Sequence, residues 1–225
     1  QRILFRLGTE SFAQADFREA IDYFSQSLQL GSYNQRTQAD AYYWRGESKF
    51  RLEQYVPAEA DMKLYLGVAP SRNTQEYALA LYNLGYTSFK QKKYEEALKW
   101  FSRCVQSGSL IPEKSVVADA YNRMGDCHFY ARRFAEAGTQ YAQASSVDPS
   151  LGDYSLFQKG FVQGLQRNYR EKIQSLNQLI STYPSSQYVD DALYEQGRAF
   201  VQLEDNANAI KRYSLLVERF PESPL

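Results

Sequence analysis

Six glycines constrain what this chain can fold into. Gly8, Gly46, Gly85, Gly125, Gly160 and Gly197 stand 38, 39, 40, 35 and 37 residues apart. Each is followed by the same order of residue types. Nine positions on come Phe17, Tyr55, Tyr94, Phe134, Tyr169 and Asn206. Twelve on come Ala20, Ala58, Ala97, Ala137, Lys172 and Ala209, and sixteen on come Phe24, Met62, Phe101, Tyr141, Leu176 and Tyr213. Twenty-four on come Ser32, Pro70, Ser109, Pro149, Pro184 and Pro221. Self-similarity at a period of this length marks an array of stacked units, each burying its apolar face against its neighbours.

The glycines also say what the units are. A glycine inside a helix costs about 1 kcal/mol relative to alanine. Six of them cost roughly 6 kcal/mol, a large share of a domain's net stability. Close packing offsets that loss if each glycine lets a second helix, B, approach a first helix, A, with the small residue twelve positions on sitting opposite. The pattern predicts A helices near 2–14, 37–52, 74–91, 113–131, 152–167 and 187–203, and B helices near 17–30, 55–67, 94–107, 134–147, 169–182 and 206–219. The units run near 1–36, 37–74, 75–112, 113–151, 152–186 and 187–225, one array over residues 1–225. Gly31, Gly67 and Gly108 fall where B helices should end, as C-terminal caps do. Pro57 fits a first helical turn and Pro112 a helix start. The fifth unit departs most: Lys172 takes the small position, Lys159 precedes the glycine, and Gly164 adds a second helical glycine. The chain opens at the first position of a unit and ends where a seventh would begin, with no polar capping helix after residue 220. Arrays need such caps, so the expectation is a piece of a longer array or an array whose cap was removed, with a short lipidated or secreted protein with a trimmed tail as the rival.

This pattern resembles the tetratricopeptide repeat family: a bulky residue, then Leu-Gly, an aromatic, Ala, an aromatic, Ala, then Pro. The third unit carries it most clearly in Leu81, Leu84, Gly85, Tyr94, Ala97 and Phe101, with Cys104 at the usual small position. The resemblance implies an all-α fold, a right-handed α-solenoid of six tetratricopeptide helix pairs, with a concave face built from the A helices. In that family, groove residues sit at the second, fifth and ninth positions of helix A. Carried over, the groove candidates are Tyr43, Glu47, Tyr82, Tyr86, Asn122, Asp126, Phe157, Phe161, Tyr194 and Arg198. The family's Lys and Asn clamp for a terminal carboxylate needs Lys at a fifth position and Asn at a ninth, and neither is present. An aromatic groove with acidic flanks suits a peptide carrying apolar and basic side chains. Tyrosine offers large contact area at small entropic cost and keeps a hydroxyl for hydrogen bonding. Each single tyrosine is equally well explained by packing against the next unit, so the set carries more weight than any member. Tyr183-Pro184-Ser185-Ser186 followed by Asp191-Ala192-Leu193-Tyr194 and Gly197 resembles a repeat subtype common in bacterial envelope proteins. Those include the periplasmic partner of the Tol–Pal system and the outer-membrane assembly lipoprotein. The resemblance implies a bacterial source and a periplasmic or envelope site, with a cytoplasmic array as the rival.

Composition narrows the function classes. Lys plus Arg and Asp plus Glu are both 26, so the net charge is zero, whereas proteins living on a phosphate backbone carry a basic excess. A helical-repeat RNA binder is therefore the disfavoured alternative. One histidine and two cysteines exclude most zinc sites and a disulfide scaffold. The mean hydropathy is -0.57, and no run approaches the length of a membrane span. No phosphate loop, nucleophile elbow or Ser-His-Asp arrangement is present. The paired acids Glu95–Glu96 and Asp190–Asp191 sit at helix starts, where they complement the helix dipole. Cys104 and Cys127 read as buried thiols, and His128 as structural. The sequence thus predicts a non-enzymatic scaffold with no cofactor and no metal, binding a protein or peptide. The alternative in a structural class is self-assembly of a homo-oligomer through uncapped ends.

Overall fold

A computed structural model describes residues 1–225 except 32, 33 and 71. Among the described residues the fold is all-α, with twelve α-helices, two short 3-10 turns and no strand. The A helices are α1 (Arg2–Ala13), α3 (Gln35–Arg51), α5 (Gln75–Lys90), α7 (Lys114–Tyr130), α9 (Gly152–Leu165) and α11 (Val189–Gln202). The B helices are α2 (Phe17–Gln29), α4 (Tyr55–Val68), α6 (Tyr94–Gln106), α8 (Phe134–Val147), α10 (Tyr169–Thr182) and α12 (Asn206–Arg219). Every helix lies within three residues of its expected bounds. Ser32, twenty-four positions after Gly8, lies outside the described residues.

The chain divides into two compact units, Gln1–Pro112 with α1 to α6 and Glu113–Leu225 with α7 to α12. Inside each, helices pack consecutively in chain order, A on B and B on the next A. The pairing within a repeat is set by its glycine. A Cβ added at Gly8, Gly85, Gly125 or Gly197 would lie 2.4–2.6 Å from a ring atom of Phe24, Phe101, Tyr141 or Tyr213, respectively. At Gly160 the obstacle is Leu176 at 2.9 Å, and at Gly46 it is Met62 at 3.1 Å. The partner is therefore the bulky residue sixteen positions on. The alanine twelve positions on, expected opposite, is buried in five repeats, but the side chain that needs the glycine's space is the large one.

The turn from A to B is the same in all six repeats. Ala15, Glu53, Lys92, Arg132, Arg167 and Glu204 take φ between 58° and 63°. The next residue's N–H reaches back to the carbonyl five positions earlier, as from Asp16 to Ser11 and from Lys93 to Ser88, both 2.9 Å. This Schellman arrangement satisfies carbonyls left open at the helix end. Of the three glycines expected to cap B helices, Gly31 does so with φ 83°. Gly67 instead lies inside α4, and Gly108 opens a 3-10 turn to Leu110. Pro57 occupies the first turn of α4, and Pro112 precedes α7 by two residues.

Candidate functional site

In the first unit, α3 and α5 carry four candidates. Tyr43 is buried, edge-on to Trp44 at 5.2 Å and tilted against Tyr65 at 5.3 Å. Burial, with Glu47 nearby, pushes its hydroxyl above the usual tyrosine range. Glu47 is buried as well. It accepts hydrogen bonds from Arg51 Nε at 2.8 Å and from Asn83 Nδ2 across on α5. Tyr82 and Tyr86 are half-buried on α5. Their rings lie 5.0 Å apart, and Tyr86 meets Phe101 at 5.5 Å and Phe50 at 6.2 Å.

In the second unit, Asn122 and Asp126 on α7 are buried. The Ser155 hydroxyl donates to Asn122 Oδ1 at 2.9 Å. Asp126 Oδ1 accepts from the hydroxyls of Tyr141 and Tyr154, each at 2.8 Å, while Oδ2 pairs with Arg123. Burial pushes the Asp126 carboxyl up, opposed by Arg123 and the two hydroxyls. Phe157 and Phe161 are half-buried on α9. Phe157 stacks on Tyr188 with centroids 5.3 Å apart and planes at 15°, and Phe161 lies 6.1 Å from Phe129. On α11, Tyr194 meets Tyr213 at 6.0 Å. Arg198 is exposed, lies 5.9 Å over the Tyr194 ring and donates to Glu195 Oε1 at 2.8 Å.

The ten candidates thus divide. Tyr43, Glu47, Asn122 and Asp126 face inward, and the polar three tie one A helix to the next: Glu47 to Asn83, Asn122 to Ser155, Asp126 to Tyr154. The acidic flanks expected of the groove are therefore neutralised inside the fold. Tyr82, Tyr86, Phe157, Phe161, Tyr194 and Arg198 keep surface. Sequence reasoning missed Tyr188, which extends the Phe157 stack, and Glu195, whose role depends on Lys172 in the preceding repeat. Lys172 is buried, and its Nζ donates to Glu195. The packing of the fifth repeat, open from sequence, closes through this pair. Cys104 and Cys127 are both buried and not in a disulfide, and burial pushes the Cys104 thiol up to about 12. His128 lies in the last turn of α7. Among the described residues, no group of three His, Cys, Asp or Glu could hold a metal, and no helix is long and apolar enough to cross a membrane.

Such helix pairs, each locked by a glycine under a bulky side chain, define a helical-repeat scaffold. Tetratricopeptide repeat models match residues 76–150 and, as two single repeats, 154–186 and 191–223. The chain belongs to the tetratricopeptide repeat family, whose members bind protein or peptide partners. Solved structures share the fold at low identity. One is YrrB, described as a tetratricopeptide protein with an unusual peptide-binding site, at 15% identity and TM-score 0.68, covering 88% of this chain and 93% of that one. A MamA protein matches at 19% identity and TM-score 0.67, covering 80% and 90%. PilF of Pseudomonas aeruginosa matches at 17% identity and TM-score 0.65, covering 99% and 92%. No curated protein matches the chain by sequence.

Proposed function

We propose that the protein is a non-enzymatic adaptor that binds a protein or peptide along the aromatic face of its A helices, within a bacterial cell-envelope assembly. One observation carries the binding part. Half-buried rings gather on A helices in both units, Tyr82 with Tyr86 on α5 and Phe157 with Phe161 on α9. Rings already packed on one side are rigid, so they lose little entropy when a partner covers the other. The internal pairing of Glu47 and Asp126 revises the ligand chemistry: selectivity for basic side chains has no open acid at those positions to rest on. Support for the envelope setting is the Tyr-Pro-Ser-Ser subtype at residues 183–186, together with the likeness to PilF and to PilW, described as a type IV pilus biogenesis factor.

The test is a partner isolated by affinity capture and a binding isotherm with the pure components. Tyr82→Ala with Tyr86→Ala should weaken binding at least tenfold, since buried aromatic anchors each contribute about 1–2 kcal/mol or more. Helical content by circular dichroism should stay near that of the parent. Unchanged affinity in this variant and in Phe157→Ala with Phe161→Ala would remove the aromatic face as the binding surface.

A further inference from the structure

The fifth repeat contains two departures from the pattern, and they touch. Four residues after the glycine, repeats one to four carry Phe12, Phe50, Phe89 and Phe129. Each packs on the aromatic that opens helix B: Phe17 at 5.3 Å, Tyr55 at 6.0 Å, Tyr94 at 5.5 Å and Phe134 at 5.9 Å. In repeat five that phenylalanine is Gly164, while the B-helix aromatic, Tyr169, is kept. At the small position Lys172 replaces alanine. A Cβ on Gly164 would lie 2.9 Å from both Cδ and Nζ of Lys172. The ring is gone and a lysine stem runs past the place it would start from.

The result is a cavity of about 370 Å³ between α9, α10 and α11, within the range of small-ligand sites. Phe161, Leu165, Tyr169 and Ala199 form its apolar wall. Lys172 Nζ and Arg198 Nη1 each donate to one oxygen of Glu195. Among the described residues lining the cavity, Glu195 is the only carboxylate. Two cations therefore share one carboxylate within the lining, with Asp191 on α11 near enough to act on Glu195 from outside it. An ammonium carries three donors and a guanidinium five, so donor capacity exceeds what Glu195 accepts. Lys172 is 6% exposed, and charge in such a place acts on an entering ion with little solvent screening.

We propose that this cavity binds a carboxylate borne on an aromatic or apolar group, as in an acidic peptide, with Lys172 and Arg198 holding the anion and the Phe161 and Tyr169 rings covering the body. The proposal deepens the peptide-binding reading and rests on it for its ligand class. It places acid recognition on Arg198, at a ninth position, together with a B-helix lysine, rather than on the Lys at a fifth and Asn at a ninth position that the family's clamp uses.

The experiment is an amide NMR titration of the full chain with three probes: acetyl-Phe-Glu-amide, acetyl-Phe-Gln-amide and acetyl-phenylalanine with a free carboxylate. Saturable shifts are expected at Gly164, Leu165 and Ala199. Binding should be roughly millimolar, as suits ligands of this size. At least one carboxylate probe should bind about tenfold more tightly than the glutamine probe, the effect of a hydrogen bond to a charged group. The stronger of the two acids identifies a side chain or a chain terminus as the source. Gly164→Phe with Lys172→Ala restores the residues that repeats one to four carry and should abolish the response. Arg198→Gln, at an exposed position that leaves Glu195 paired with Lys172, should weaken it several-fold. Equal binding of acid and amide, absence of saturable shifts, or an undiminished response in both variants would overturn the proposal. The probes need no natural partner, so failure here is separate from failure of the Tyr82 and Tyr86 test.

Discussion

At the residue scale the molecule is organised by a missing methyl group. Gly85 and Phe101 illustrate it: a Cβ on Gly85 would sit 2.5 Å from two ring atoms, and the ring is fully buried. Phe101 cannot swing away as an exposed side chain could, so Gly85→Ala is expected to destabilise by about 1–3 kcal/mol, the usual cost of overpacking a core. Gly67 is the control. It is exposed inside α4, and a methyl added there would meet nothing within 4 Å, so Gly67→Ala should stabilise by about 0.5–1 kcal/mol through helix propensity. Urea unfolding of the two variants checks both signs. Equal effects would mean that the recurring spacing has nothing to do with the ring contact.

At the element scale each helix pair is closed by a three-residue turn whose middle residue is left-handed without being glycine. Lys92 has φ 60°, a region that disfavours residues with a Cβ. Lys92→Gly relieves that strain, less the entropy glycine adds to the unfolded chain, and should raise stability by about 0.5–1 kcal/mol. A lower thermal midpoint for the variant would argue that Lys92 contributes through its side chain. The turn itself was not legible in the sequence, because Ala, Glu, Lys and Arg in that slot share no chemistry. Helix bounds were legible, because glycine, alanine and aromatic recur at fixed offsets. Which groove candidates keep surface was legible in part. Tyr82, Tyr86, Phe157 and Phe161 keep surface, but Glu47, Asn122 and Asp126 turn inward toward partners 36, 33 and 28 residues away. Position within a helix does not reveal a hydrogen-bond partner on the next one. Gly164 and Lys172 stood out singly as departures, and only coordinates show that the glycine leaves room for the lysine.

At the scale of the whole molecule, the twelve helices among the described residues form two compact units, each with half-buried rings on its A helices. Glu47, Asn122 and Asp126 join one A helix to the next, and the surfaces proposed for a partner are the half-buried rings and the Lys172–Glu195–Arg198 cavity. Hydrogen exchange with and without the captured partner tests that division most directly. The account predicts slowed exchange in the A helices that carry the rings, α5 or α9 with α11, and little change in α2, α4 and α8. Protection confined to the B helices would contradict it.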